Sequence, residues 1–157
     1  MAEPIIEQIA AAIETAIDGK QDPDTTLTLR AVRPKILDWI TADFKHGDVV
    51  IEARTSATQE EEKTTSSRLE LGSWMLYGII TTLPADTAAD TMLHRMAETI
   101  RRILLAENDE DQVFSGLAFD IECPLVNYEV MSGGVVAEVT VQVRYDTALA
   151  DGYAAPS

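Results

Sequence analysis

The run from Val135 to Thr147 constrains the fold more than any other stretch of the chain. Val135, Ala137, Val139, Val141, Val143 and Tyr145 fall on one side of an extended chain, and Glu138, Thr140, Gln142 and Arg144 on the other. Successive side chains of a strand point to opposite faces, so this pattern predicts a long strand with one buried face and one that is wet or against a partner. An apolar sheet face must be covered, and two segments are suited to cover it. Ile5, Ile6, Ile9, Ile13, Ala16 and Ile17 recur at helical spacing between Glu7, Gln8, Glu14 and Asp18, with Pro4 suited to a first turn and Gly19 as a stop. Ala89, Leu93, Met96, Ala97, Ile100, Ile103 and Leu104 form a second stripe, in a helix opened by Pro84 and Asp86. Asp86 and Asp90 suit the positive end of its dipole and Arg101 and Arg102 the negative end, and Glu98 is spaced to pair with Arg102.

Further strands are expected around these elements. Leu27 to Val32 alternates briefly before Pro34, and Val49 to Ala53 follows the turn residues Gly47 and Asp48. Between them, Ile36 to Thr41 is β-like, although Lys35 to Trp39 also fits a helical turn. Arg68 to Thr82 alternates imperfectly through Leu69, Leu71, Trp74, Met75, Tyr77 and Ile79, with Gly72 and Gly78 as bulges or bends. Leu117, Phe119, Ile121 and Cys123 alternate up to Pro124, Leu125 to Met131 continues extended, and Ser132-Gly133-Gly134 signals a hairpin. Thr55 to Ser67 has no apolar residue beyond Ala57 and is expected to be a mobile loop or a long hairpin tip. Glu107 to Asp111 is expected to be an acidic loop, and Ala148 to Ser157 a tail that hangs free or docks on a neighbour. With no internal repeat and no linker, the 157 residues are expected to form one domain. Its class is α+β, a mostly antiparallel sheet with the two helices packed on one face.

Charge narrows the functional classes. Twelve Lys and Arg against 27 Asp and Glu give a formal net charge of −15. Phosphate binding needs clustered bases, so the chain is expected to repel nucleic acid and anionic membrane surfaces. It remains suited to a passive surface past which DNA slides. No apolar run approaches the roughly 18 residues that a membrane-spanning helix needs. Met1 to Glu7 carries two acids and no base, unlike a secretory signal. Cys123 is the single cysteine and is expected to be a small buried hydrophobe on a strand, which fits assembly in a host cytoplasm.

No constellation for catalysis emerges. His46 lies in the turn from Asp43 to Asp48, and His94 at the edge of the second helical stripe; neither stands beside a nucleophile signature. Gly133-Gly134 lacks the lysine and following helix of a phosphate loop. Glu60-Glu61-Glu62 and Asn108-Asp109-Glu110-Asp111 lack the alternating ligand spacing of a calcium loop. Trp39, Trp74 and Tyr77 are expected to be core or interface anchors rather than the lining of a ligand pocket. No enzyme activity, metal or cofactor is therefore expected.

A series of short motifs fills the C-terminal half. A helix opens at Pro84-Ala85-Asp86 and runs through Ile103-Leu104-Leu105-Ala106 to an acidic turn. Val113-Phe114-Ser115-Gly116-Leu117, Asp120-Ile121-Glu122 and Tyr128-Glu129-Val130 follow, and the series ends at Val136 to Tyr145. The series resembles the tail terminator family of long-tailed bacteriophages, the minor tail protein U type. The order of elements agrees over nearly the whole chain, and the motif content lies in about its last 75 residues. The loop from Thr55 to Ser67 has no residue-by-residue match.

The resemblance implies a virion structural protein of the tail or neck. Such proteins form a homohexameric ring on the head-proximal end of the tail tube, end tube growth and meet head-completion or neck proteins, while DNA passes through the lumen without specific binding. A heterologous interface repeated about an axis closes such a ring. Gln59, Glu60, Glu61, Glu62 and Lys63 are candidates for a loop that orders against the tube or the head. Two other readings remain open at this point: a tail tube or other head–tail connector subunit, and a small-molecule-binding regulatory domain with a ligand pocket.

Overall fold

The computed structural model describes residues 3–21, 27–34, 44–59, 67–83, 86–109, 112–131, 134–148, 152–153 and 155. Both apolar stripes form helices. The first helix, α1, spans Ile5–Ile17 and buries Ile5, Ile9, Ala10, Ile13, Ala16 and Ile17. It stops where Gly19 turns to φ +76°, a left-handed conformation that glycine adopts without a Cβ clash. The second helix, α2, spans Ala89–Leu105. It starts later than Pro84 and Asp86 suggest, because the chain is still extended at Ala88 (φ −69°, ψ 149°). Asp86 therefore lies ahead of the helix, and Asp90 sits in its first turn. Met92 and Thr99 join the buried stripe, while Ala89 and Ile103 lie half-buried at its margin. Glu98 reaches Arg101 at 3.7 Å, one position short of the expected Arg102; both spacings bring side chains together on a helix.

Among the described residues the strands are β1 (Arg30–Val32), β2 (Asp48–Gln59), β3 (Ser67–Ile80), β4 (Asn108–Asp109), β5 (Gln112–Val113), β6 (Asp120–Met131) and β7 (Gly134–Ala148). Five of them make one sheet in the order β1-β2-β3-β7-β6, and β4 pairs with β5 in a small hairpin. All pairs are antiparallel except β1 with β2. The class is α+β, with a mixed, mostly antiparallel sheet. The alternation of β7 is realised: Ala137, Val139, Val141, Val143 and Tyr145 are buried in the main core with both helices, alongside Val49, Ile51, Trp74 and Leu76. Burying each large aliphatic side chain here contributes about 1.5–3 kcal/mol. Gly78 lets α2 come this close, since a Cβ there would lie 2.5 Å from Met96 Cγ and 3.1 Å from Ile100 Cδ1.

Several boundaries differ from the sequence reading. Thr55 to Gln59 continue β2 and Ser67 begins β3, and the two strands pair antiparallel out to Gln59 and Leu69, so both ends of this stretch belong to a long hairpin, the second of the two expectations, and not to a loop; residues 60–66 lie outside the described residues. Ala53 to Thr58 are exposed, so this end of β2 is held by its pairing with β3 and carries no apolar face. Asn108 and Asp109 pair with Val113 and Gln112, which turns the expected acidic loop into a hairpin. Leu117 belongs to a turn rather than a strand. Phe114, Ser115 and Gly116 there all have positive φ (53°, 57° and 94°), and β6 begins only at Asp120. The tail is tied to its own chain, because the Ile5 N–H donates to the Gly152 carbonyl at 3.0 Å. The stretch from Ile36 to Thr41, with Trp39, lies outside the described residues.

The β1 side of the sheet is sealed. The Leu29 N–H donates to the Lys20 carbonyl at 2.7 Å and the Gly19 N–H to the Leu29 carbonyl at 2.9 Å. Gln21 bridges Thr28, and the Ala31 N–H donates to Asp18 Oδ1 at 3.0 Å. The exit of α1 thus takes up the Leu29 N–H and carbonyl and the Ala31 N–H of this short edge. Below it, Arg30 forks onto the buried Asp48 through Nε–Oδ1 (2.8 Å) and Nη2–Oδ2 (2.7 Å). Arg33 forks onto Glu7 of α1 at 2.7 and 3.0 Å.

Candidate functional site

The side chains considered first for chemistry are engaged structurally. His46 Nδ1 accepts from the Thr81 and Thr82 amides at 3.1 and 3.3 Å, just beyond the end of β3. His94 meets Tyr128 edge-on, with ring centroids 5.2 Å apart. Cys123 is buried on the helix side of β6, and burial pushes its thiol up to about 11 against the opposing pull of Arg101. A thiol held protonated is a poor nucleophile. Among the described residues no group of three or more His, Cys, Asp or Glu is arranged to hold a metal ion. No helix there is long and apolar enough to cross a membrane. A groove of about 250 Å³ runs between α1 and β2, lined in part by Ile6, Ala10, Arg33 and Trp74.

The second face of the sheet carries the charge. Cross-strand partners share a face, so the register lays out its rows. Val50, Tyr77, Glu138 and Asn127 form one row, and Glu52, Met75, Thr140 and Leu125 the next. Ser73, Gln142 and Glu122 follow on one side, and Ile79, Val136 and Glu129 on the other. Val50, Tyr77, Ile79 and Val136 make a small second apolar cluster with Phe44 and Met75, so this face is not uniformly wet. A bulge between Ala53 and Thr55 adds Arg54 to β2, and its Nη2 donates to the Tyr77 hydroxyl. The same nitrogen is 3.6 Å from Glu52 Oε2. Burial, and then the Glu52 carboxylate, push the Tyr77 hydroxyl up to about 12. Burial, and then the neighbouring Glu129, raise the Glu138 carboxyl above its ordinary value, against a weaker pull from Arg54. Nearer the far end, Arg144 Nη1 donates to Asp120 Oδ2 at 2.6 Å and lies 3.5 Å from Glu122 Oε1.

This face ends at a bare edge. β6 is the last strand of the sheet, and among the described residues no backbone bond reaches its outer side. Its helix-side residues are Ile121, Cys123, Val126, Tyr128 and Val130; Asp120, Glu122, Leu125, Asn127 and Glu129 lie on the other face. Leu125 is 52% exposed, Tyr128 45% and Val130 86%. A one-residue bulge at Cys123–Pro124 interrupts the register, where proline is tolerated in an edge strand.

Of the residues expected in a partner-contact loop, Gln59 is the last residue of β2, while Glu60, Glu61, Glu62 and Lys63 lie outside the described residues. Trp74 is a core residue, and Tyr77 anchors the second cluster on the opposite face. Of the carboxylates around Tyr77, the alternation of β7 already sets Glu138 on the polar face, whereas Glu52 and the apolar edge of β6 are not singled out by spacing. The sequence signal for that edge is the alternation of Asn127 and Glu129 with Val126, Tyr128 and Val130. No protein-family model matches the chain, and no curated protein matches it.

Proposed function

We propose that the chain is a virion structural protein of the tail terminator type, a non-catalytic subunit that closes into a ring on the head-proximal end of a phage tail tube. The observation that carries this reading is the second face of the sheet. It is broad and polar, and Asp120, Glu122, Glu129, Glu138 and Glu52 outweigh Arg54 and Arg144 on it. Such a face turned to a lumen leaves passing DNA ungripped, because its phosphates find carboxylates rather than clustered bases. The C-terminal motifs and the order of elements add to the reading. In it, the tube and the neck proteins are the partners, and Gln59 to Lys63 are candidate contacts with them.

Native mass spectrometry of concentrated protein, alone and with purified tail tubes, tests it. A six-subunit species, or monomers that cap tube ends as a ring, is the expected result. A discrete dimer that ignores tube ends would contradict the reading.

A further inference from the structure

We infer that the outer edge of β6 takes up an extended segment of another protein as an added strand, and that this segment alternates apolar side chains with Lys or Arg. The inference does not depend on the terminator reading. An edge strand with unpaired backbone groups is a template for pairing, and folds usually blunt it with lysine, cover or brevity. A bulge and Pro124, two further blunting devices, sit in the first part of β6, but Leu125 to Met131 carry no proline and no lysine, leave Leu125, Tyr128 and Val130 exposed, and among the described residues have nothing paired to their outer side. At the opposite edge of the same sheet Asp18, Gly19 and Lys20 take up backbone groups of Leu29 and Ala31, a protection that β6 lacks among the described residues.

The two faces of β6 specify the occupant. An added strand alternates its side chains across the same two faces. On the helix side its residues would meet Val126, Tyr128 and Val130, which favours apolar side chains. On the other side they would meet Asp120, Glu122 and Glu129, which favours Lys or Arg. Arg144 offsets part of the charge at Asp120 and Glu122, while Glu129 lies beside Glu138, so the excess of negative charge along the edge is at Glu129.

A second copy of this chain fits poorly in either possible way. Head-to-tail pairing needs the β1 edge, where the Leu29 and Ala31 N–H groups and the Leu29 carbonyl are taken. Two-fold pairing about the middle of β6 sets Glu129 of each copy opposite Glu122 of the other. Like charges directly opposite are destabilising.

A test uses the full chain and a fluorescent twelve-residue peptide of alternating valine and lysine, matched to the length of β6. A control peptide of the same sequence carries an N-methyl group on every backbone nitrogen, which keeps the charge but removes the donors of both its edges. Fluorescence anisotropy should show the control binding about ten-fold or more weakly. Val130→Lys should weaken the unmethylated peptide by a similar factor with unchanged Tm. Equal binding of the two peptides, which means bulk charge attraction alone, would overturn the proposal. So would no binding, or a homodimer of the chain that Val130→Lys dissolves.

Discussion

The two edges of the sheet are built from similar backbone and end in opposite states. At β1, three residues of strand are enough, because α1 leaves through Asp18, Gly19 and Lys20 and spends their groups on Leu29 and Ala31. At β6, ten of the twelve residues pair with β7, and among the described residues nothing pairs with the outer side. The electrostatics differ in the same sense. Carboxylates near β1 have partners, as Glu7 has Arg33 and Asp48 has Arg30. At β6 only the first part is balanced in this way, by Arg144 with Asp120 and Glu122, while Glu129 and Glu138 crowd one another. One edge of the sheet is closed by the exit of α1, and at the other, among the described residues, nothing pairs with the outer side of β6.

The largest expected effect comes from loosening the helix that makes the seal. Ile13 is fully buried in α1, and Ile13→Ala should cost about 2–5 kcal/mol, the range for truncating a buried aliphatic side chain. Urea unfolding checks this; a loss below about 1 kcal/mol would mean that α1 is not part of the core. A smaller effect is expected at the seal itself. Asp18→Ala removes the acceptor of the Ala31 N–H and should cost about 0.5–1 kcal/mol, since water can replace part of that bond at an exposed position. If the contrast between the edges is sound, this variant should also begin to self-associate, which sedimentation velocity would detect.

The smallest expected effects have opposite signs. The Arg33 fork holds the Glu7 carboxyl below its ordinary value of 4.5. Its stabilisation is present above pH 4.5 and is lost as the pH falls through the lowered value. Glu7→Gln should therefore lower Tm slightly at pH 7 and change nothing in strong acid. The Glu138 carboxyl is raised, so its ionised form destabilises the fold near neutrality. That penalty is relieved as the pH falls through the raised value towards 4.5. Glu138→Gln should raise Tm slightly at pH 7, with the gain fading below pH 4.5. Thermal melts of both variants across pH would break the comparison if the two shifts had the same sign.

How much of this was legible in the sequence follows from what holds each element. α1, α2 and β7 are fixed by side chains that must leave water, so Ile5 to Ile17, Met92 to Leu104 and Val135 to Tyr145 announce their period. The outer half of β2 is held by backbone pairing, and a strand exposed on both sides, such as Ala53 to Thr58, has no period to display. The β4–β5 hairpin is hidden for the same reason, since Asn108 and Asp109 are exposed. The seal at β1 uses main-chain groups of Lys20 and Leu29, which any residue would supply. The cluster around Tyr77 depends on the register of β2, β3, β7 and β6, which no local pattern encodes.

Residue-resolved amide hydrogen exchange tests the contrast between the edges most directly, because it reads backbone groups rather than side chains. The account predicts that Leu29 and Ala31 exchange as slowly as the central strands β3 and β7. Along β6, alternate amides should exchange fast, with slow neighbours bonded to β7. Uniform protection along β6 in the isolated chain, or fast exchange at Leu29 and Ala31, would contradict it.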